Sequence, residues 1–325
     1  MPGAQVEADI WVSEFISPYD VYQHGVREIF LAKRTAFQSM AVVDFGTYGR
    51  GLVLDGKVQC TSGDEVQYHE PLCHVPCLVH GAPRQVLILG GGDGGAAREF
   101  LKWRTVERVV VVDIDAEVVT ACREHLPEIH RGSLDDARVE VVTEDAWAYV
   151  DRCGERFEVI VSDLTDPLED GPSFALFARE FFQRVKRLLT PEGVFVTQAG
   201  PTSAAESPMH PRIVSTLRSV YQHASSYEVF VPTFGSPLGF AIASERAFDT
   251  FGEQVVERVN RRLVENVAGG KLQTLDGIAF VGLFATSKAL RQRIEAERTV
   301  YTLASDGKSP DTIIGSAQAD ANRGE

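Results

Sequence analysis

Two hydrophobic rhythms divide the chain. Over residues 9–61 short apolar stretches recur, "IWVSEFI", "VREIFLA", "QSMAVVDF", "GLVLDG" and "KVQCT", set apart by turn signals at Gly46, Gly49 and "DGK". Short apolar runs between such breakers predict strands, and their close spacing predicts a small antiparallel β unit. From Val86 onward the rhythm changes. "QVLILG", "VERVVVVDID", "RVEVVTED", "FEVIVSDL" and "GVFVTQAG" are nearly continuous apolar runs, and amphipathic segments such as "GAAREFLKW", "AEVVTACREHL" and "REFFQRVKRLL" lie between them. This alternation predicts a parallel sheet covered by helices on both faces, because parallel neighbours need crossover connections. The expected organisation is an α/β chain: a β-strand domain over 1–80, a Rossmann-like doubly wound catalytic domain over 81–303, a linker at "VHGAPR" (79–84), and a poorly ordered tail over 304–325.

Composition narrows the partners. With 44% hydrophobic and 24% charged residues the chain falls among ordinary globular proteins. No apolar run reaches the roughly 18 residues that a membrane span needs. "MPGAQVEADIW" lacks a basic region followed by an apolar stretch, so a cytoplasmic location is the default expectation. Five cysteines, an odd number, argue for a reducing compartment over a disulfide framework. A net charge of −14 without any basic cluster argues against nucleic acid. It leaves solubility, or a cationic substrate, as the reason for the acidity.

Candidate chemistry starts at "VLILGGGDGG", residues 86–95. Gly90, Gly92 and Gly95 fit G-x-G-x-x-G after a strand and before a helix, the signature of a nucleotide-like cofactor. Asp113, 18 residues past Gly95, is placed to accept from a ribose diol, and Asp145, after the third strand, from an adenine amine. Asp93 stands inside the loop, where a carboxylate beside a pyrophosphate would cost on the order of 1 to 4 kcal/mol. An adenosyl sulfonium, positive at sulfur and free of phosphate, would instead be attracted. Capping of the following helix is the structural alternative for Asp93, and the two roles are compatible. A second acidic segment, "FEVIVSDLTDPLEDGP", contributes Glu158, Asp163, Asp166, Glu169 and Asp170 with no Lys or Arg. Pro167 forces Asp166 into an extended conformation, so the chain leaves the fourth strand as a loop. Mg²⁺ or Ca²⁺ would suit such a cluster, and so would a polyamine.

"LGGGDGG", "VVDID", "EDAWAYV" and "SDLTDP", with "TAFQS", "YGRGLVLDGKVQCT", "DEVQYHE" and "RVNRRL", resemble the polyamine aminopropyltransferases, the spermidine, spermine and thermospermine synthase family, over roughly residues 10–300. The resemblance implies a sheet of the class I S-adenosylmethionine-dependent methyltransferase type and a homodimer or homotetramer. It implies decarboxylated S-adenosylmethionine as co-substrate and no metal ion. Gln38, Gln59 and His69 would line the donor with Gly90 and Gly92, Asp113 would hold its ribose, Asp145 its adenine and Asp93 its aminopropyl ammonium. Asp163 corresponds to the family's acid-base residue, with Asp166 and Tyr68 orienting the amine. Gln198 and Phe234 would lie along the acceptor.

The acceptor follows from departures within that resemblance. Putrescine-using members carry "DSSDP", an acid after the fifth strand and a tyrosine further on. This chain has "DLTDP", Ala199 and Gly200, and Phe234 at those places. Those features resemble the thermospermine synthase-like branch, which implies spermidine as acceptor, giving thermospermine or spermine, with Glu169 and Asp170 for its distal ammonium groups. A spermidine synthase using putrescine, agmatine or cadaverine is the alternative. A methyltransferase, a nicotinamide dehydrogenase and a non-catalytic polyamine sensor are further readings, the first two disfavoured by Asp93. His69, Cys73 and Cys77 share i, i+4 spacing, yet small buried thiols beside a substrate-facing histidine explain them without zinc.

Overall fold

The computed structural model describes residues 8–17, 19–165, 173–203, 208–270, 272–303 and 310–313. The chain opens with an antiparallel hairpin, β1 (Ile10–Ser17) and β2 (Asp20–Val26). A four-stranded antiparallel sheet follows in sequence order: β3 (Glu28–Arg34), β4 (Ser39–Asp44), β5 (Arg50–Leu54) and β6 (Lys57–Thr61). The single strand expected at "VREIFLA" is divided, since Val26 closes β2 and Glu28 opens β3. β2 left no apolar signal because "DVYQHGV" is mostly polar or exposed.

Helix α1 (Val66–His80) runs through Pro71 and Pro76 and is buried over Tyr68–Leu78. It lies before the expected linker in sequence, yet packs into the larger core with the strands that follow. Those strands alternate with helices: β7 (Gln85–Gly90), α2 (Gly95–Leu101), β8 (Arg108–Asp113), α3 (Ala116–His125), the single turn α4 (Pro127–His130), β9 (Val139–Thr143), α5 (Ala146–Arg152) and β10 (Phe157–Asp163). Next come α6 (Arg179–Leu188), β11 (Leu189–Pro201), α7 (Met209–Arg218), β12 (His223–Phe230) and β13 (Pro237–Ser244). The chain continues through α8 (Glu253–Asn266), α9 (Gly277–Phe284), α10 (Lys288–Ala296) and β14 (Val300–Leu303). Within the stretch expected as a tail, β15 (Pro310–Ile313) pairs antiparallel with β14.

The seven-stranded sheet has the order β12-β13-β11-β10-β7-β8-β9, with β13 antiparallel to both its neighbours and the other pairs parallel. This is the α/β arrangement of the class I methyltransferase type. Side chains alternate through it. Val86, Ile88, Val109, Val111, Val159 and Val161 enter one core with α1, while Leu87, Leu89, Val110, Val112 and Ile160 enter the other with α6 and α7. Strand order reverses between β7 and β10, where ligands bind in open α/β sheets. The four-stranded sheet packs Met40, Val42, Leu52 and Cys60 against Val118, Ala121 and Cys122 of α3, Ile129 of α4 and Leu126 between them, which brings β4 and β6 to that same rim.

Candidate active site

The glycine loop turns sharply at the end of β7. Gly90, Gly91 and Gly94 have positive φ values of 85°, 73° and 77°, which glycine alone adopts freely. Close approach matters as much as conformation. A Cβ on Gly90 would sit 2.1 Å from the Asp163 carbonyl oxygen, and one on Gly92 would sit 2.6 Å from Asp113 Oδ2. Parallel register places Asp163 opposite Gly90, so the loop and the end of β10 flank the point where strand order reverses.

Carboxylates crowd this rim. Asp113 accepts from the amides of Gly92 (3.0 Å) and Asp115 (2.9 Å), and burial raises its pKa. Asp93 accepts from the Gly95 amide at 2.7 Å and lies 3.6 Å from His69 Nε2, an ion-pair contact too long for a hydrogen bond. Although burial opposes ionisation, His69 and the Gly95 amide hold the Asp93 pKa well below the carboxylate range. Asp163 accepts from the Tyr68 hydroxyl at 2.6 Å. Burial first, then the Asp93 charge, push its pKa up to about 6, against the opposing pull of His69 and Tyr68.

His69 is buried and donates through Nδ1 to Glu65 at 2.7 Å. Burial alone would lower its pKa, but Asp93 and Glu65 raise it to about 10, so the ring is an imidazolium at neutral pH. The acidic cleft is therefore partly neutralised by a cation that composition does not count. Cys73 and Cys77, one and two turns further along α1, are buried, and the Cys73 thiol faces the Ala96 carbonyl. Among the described residues no group of three or more His, Cys, Asp or Glu is placed to hold a metal ion.

Gln38 is bound to Asp115 Oδ2 at 3.1 Å, beside the 2.6 Å bond from the Thr35 hydroxyl, and Gln59 donates to the Lys57 carbonyl in β6. Asp145 is exposed and caps α5 through the Ala148 amide. On the other side of Asp163, Gln198 donates to the Leu164 carbonyl and accepts from the Gly200 amide, tying the chain after β10 to β11. Phe234 meets Tyr68 edge-on, ring centroids 6.0 Å apart. Its turn is anchored by buried Asp64, which accepts from the Thr233 amide and hydroxyl and from Thr61. Asp166, Glu169 and Asp170 lie outside the described residues.

Sequence reasoning missed Glu65, Arg98, Asp64 and Asp115. Arg98 chelates both Glu65 oxygens, at 2.8 and 2.7 Å. Only the acidic pairs "DE" at 64–65 and "DID" at 113–115 hinted at them, because their partners are remote in the chain.

Comparison with known proteins supplies the family. The Spermine/spermidine synthase domain matches residues 65–251, and the Spermidine synthase tetramerisation domain matches residues 10–62. A polyamine aminopropyltransferase of Synechococcus sp. (strain JA-2-3B'a(2-13)) is 45% identical over 300 residues, 90% of this chain and 95% of that one. Thermospermine synthase ACAULIS5 of Arabidopsis thaliana is 36% identical, covering 90% of this chain and 85% of its own. A solved spermidine synthase in complex with the transition-state analogue AdoDATO superposes with a TM-score of 0.79 at 26% identity, over 91% of this chain and 99% of that one. The chain belongs to the polyamine aminopropyltransferase family, enzymes that transfer aminopropyl groups.

Proposed function

We propose that the protein transfers the aminopropyl group of decarboxylated S-adenosylmethionine to spermidine. The observation that carries the reading is the pairing of Asp163 with Gly90 across the switch point, which sets a carboxylate of raised pKa beside the loop that takes the donor. Asp113 and Asp145 would hold the ribose and the adenine. Gln38, Gln59 and His69 would complete the donor wall, with Gln38 acting together with Asp115. Asp93 would hold the aminopropyl ammonium. Ordinary S-adenosylmethionine has a carboxylate next to that ammonium, which Asp93 would repel.

The acceptor nitrogen attacks the methylene carbon next to sulfur. The C–S bond breaks with its electron pair going to sulfur, methylthioadenosine leaves, and the proton of the new secondary ammonium passes to Asp163. A carboxylate near pKa 6 is a weak base toward a free ammonium. The nearby sulfonium lowers the amine's own pKa, and its charge disappears as the bond forms. Asp163 therefore accepts the proton late, while Tyr68 and Asp166 orient the amine. The analogue carried by the related spermidine synthase agrees with such a donor.

Ala199, Gly200 and Phe234 support spermidine over a shorter diamine. None offers a charge or hydroxyl to fix a second ammonium close by, and Phe234 extends the apolar wall of Tyr68. Glu169, Asp170 and Gln198 would serve the more distant groups. The hairpin exposes Ile10, Trp11, Phe15 and Val21 inside the segment that matches the tetramerisation domain, which supports a homodimer or homotetramer. The reaction needs no metal, and among the described residues no helix is long and apolar enough to cross a membrane. Chromatography of the products formed with putrescine, agmatine, cadaverine and spermidine, each offered alone, tests the acceptor. A tetraamine from spermidine is expected. Turnover of putrescine with none of spermidine would overturn the assignment.

A further inference from the structure

Behind the glycine loop, Glu65, Arg98 and Glu99 form a line of buried charged groups. Glu65, just ahead of α1, accepts from His69 Nδ1 at 2.7 Å with one oxygen and has both oxygens gripped by Arg98 of α2. Arg98 is fixed in turn by Glu99 at 2.8 Å and by the Ile129 carbonyl. The His69 ring lies flat against the loop, since a Cβ on Gly95 would sit 2.4 Å from its Cε1. With one nitrogen on Glu65 and the other facing Asp93, the ring has a carboxylate at each end, and both carboxylates favour the protonated form.

We propose that Glu65, clamped by Arg98, is a positioning residue that keeps His69 an imidazolium and through it sets the charge state of Asp163. This rests on Asp163 being the base. The groups acting on Asp163 come from three elements: Asp93 in the loop and Asp113 on β8 disfavour its charge, while His69 and Tyr68 on α1 favour it. On His69 itself act Glu65 and Asp93, both favouring the proton, with Cys60 of β6 bordering Asp93. His69 is the cation in that set, so its proton offsets the repulsion among three carboxylates. A helix staple alone would need the Glu65–Arg98 pair but would not need Glu65 Oε2, which Arg98 already holds, to accept from the ring as well.

The test combines Glu65→Gln with histidine ring titration by NMR and the pH profile of kcat/KM. In the unaltered enzyme both ring nitrogens of His69 should stay protonated through pH 8, and the acidic limb of kcat/KM should fall near pH 6. In Glu65→Gln the ring should lose its proton between pH 6 and 8. The acidic limb should rise by about one pH unit, leaving kcat/KM about fivefold lower at pH 6 and converging with the unaltered enzyme above pH 8. His69→Asn should move the limb alike, and the double variant should add nothing. A ring that stays protonated in Glu65→Gln, or a rate lowered equally at every pH, would overturn the proposal. Should Glu65→Gln fail to fold, a neutral His69 in the unaltered enzyme or an unmoved limb in His69→Asn would overturn it instead. Full turnover by Asp163→Asn would mark a different failure, that of the base assignment, which the ring titration does not depend on.

Discussion

Asp163 is held in a form that folding alone would not choose. Its pKa of about 6 lies above the 3.8 of a free aspartate, so ionising it in place opposes folding. The penalty is absent below pH 4, grows between pH 4 and 6, and is complete above pH 6. Asp163→Asn should therefore raise the melting temperature at pH 7 to 8 by the equivalent of about 1–3 kcal/mol, with no gain at pH 4. The same change should lower kcat by about 10²-fold or more while calorimetry shows donor affinity nearly intact. Lost stability or retained turnover would contradict this account. Asp93→Asn separates a second role. It should weaken the decarboxylated donor and narrow its advantage over S-adenosylmethionine, read by calorimetry with both ligands. An unaltered preference would leave Asp93 with its local bond to the Gly95 amide at the start of α2.

At the scale of elements, the turn at Phe234 depends on a contact made far away in sequence. Asp64, before α1, takes three hydrogen bonds from Thr61 and Thr233 in a buried setting. Asp64→Ala should cost about 3 kcal/mol of stability by leaving the Thr233 amide without a partner. The acceptor KM should rise severalfold while donor binding is kept, because the turn borders Tyr68 and not the glycine loop. Steady-state kinetics with both substrates varied would check this. The element pattern was legible where periodicity was strong. β7, β8 and β10 follow from their apolar runs, and the glycine loop follows from its spacing and context. β2 was not legible, because the face it buries carries Tyr22 and His24, polar residues that give no apolar alternation. The length of α1 was obscured by Pro71 and Pro76, which stand inside a helix that is buried along most of its length. The charge of His69 was hidden for a related reason, since its partner Glu65 is four residues away but the Arg98 that clamps Glu65 is thirty-three residues away.

Across the whole molecule, the small N-terminal unit meets the larger unit at the turn that carries Phe234. Tyr22 of the hairpin donates to the Pro232 carbonyl, His24 bonds the Thr233 carbonyl at 2.8 Å, and Gly235 packs on the Tyr22 ring. The other face of the hairpin exposes Phe15 and Val21, at 79% and 50%, which are large apolar side chains to leave in water. Phe15→Glu combined with Val21→Lys should shift the protein to a smaller species in light scattering. An unchanged mass would place the subunit contact elsewhere. The end of β10 carries a broader consequence. Asp163 is the last residue locked in register with Gly90, and the very next peptide begins the segment proposed to face the acceptor. On the proposed assignment, the residues that would choose an amine can change without moving the carboxylate that would take its proton. One strand terminus would thus let the product change while the chemistry is inherited intact.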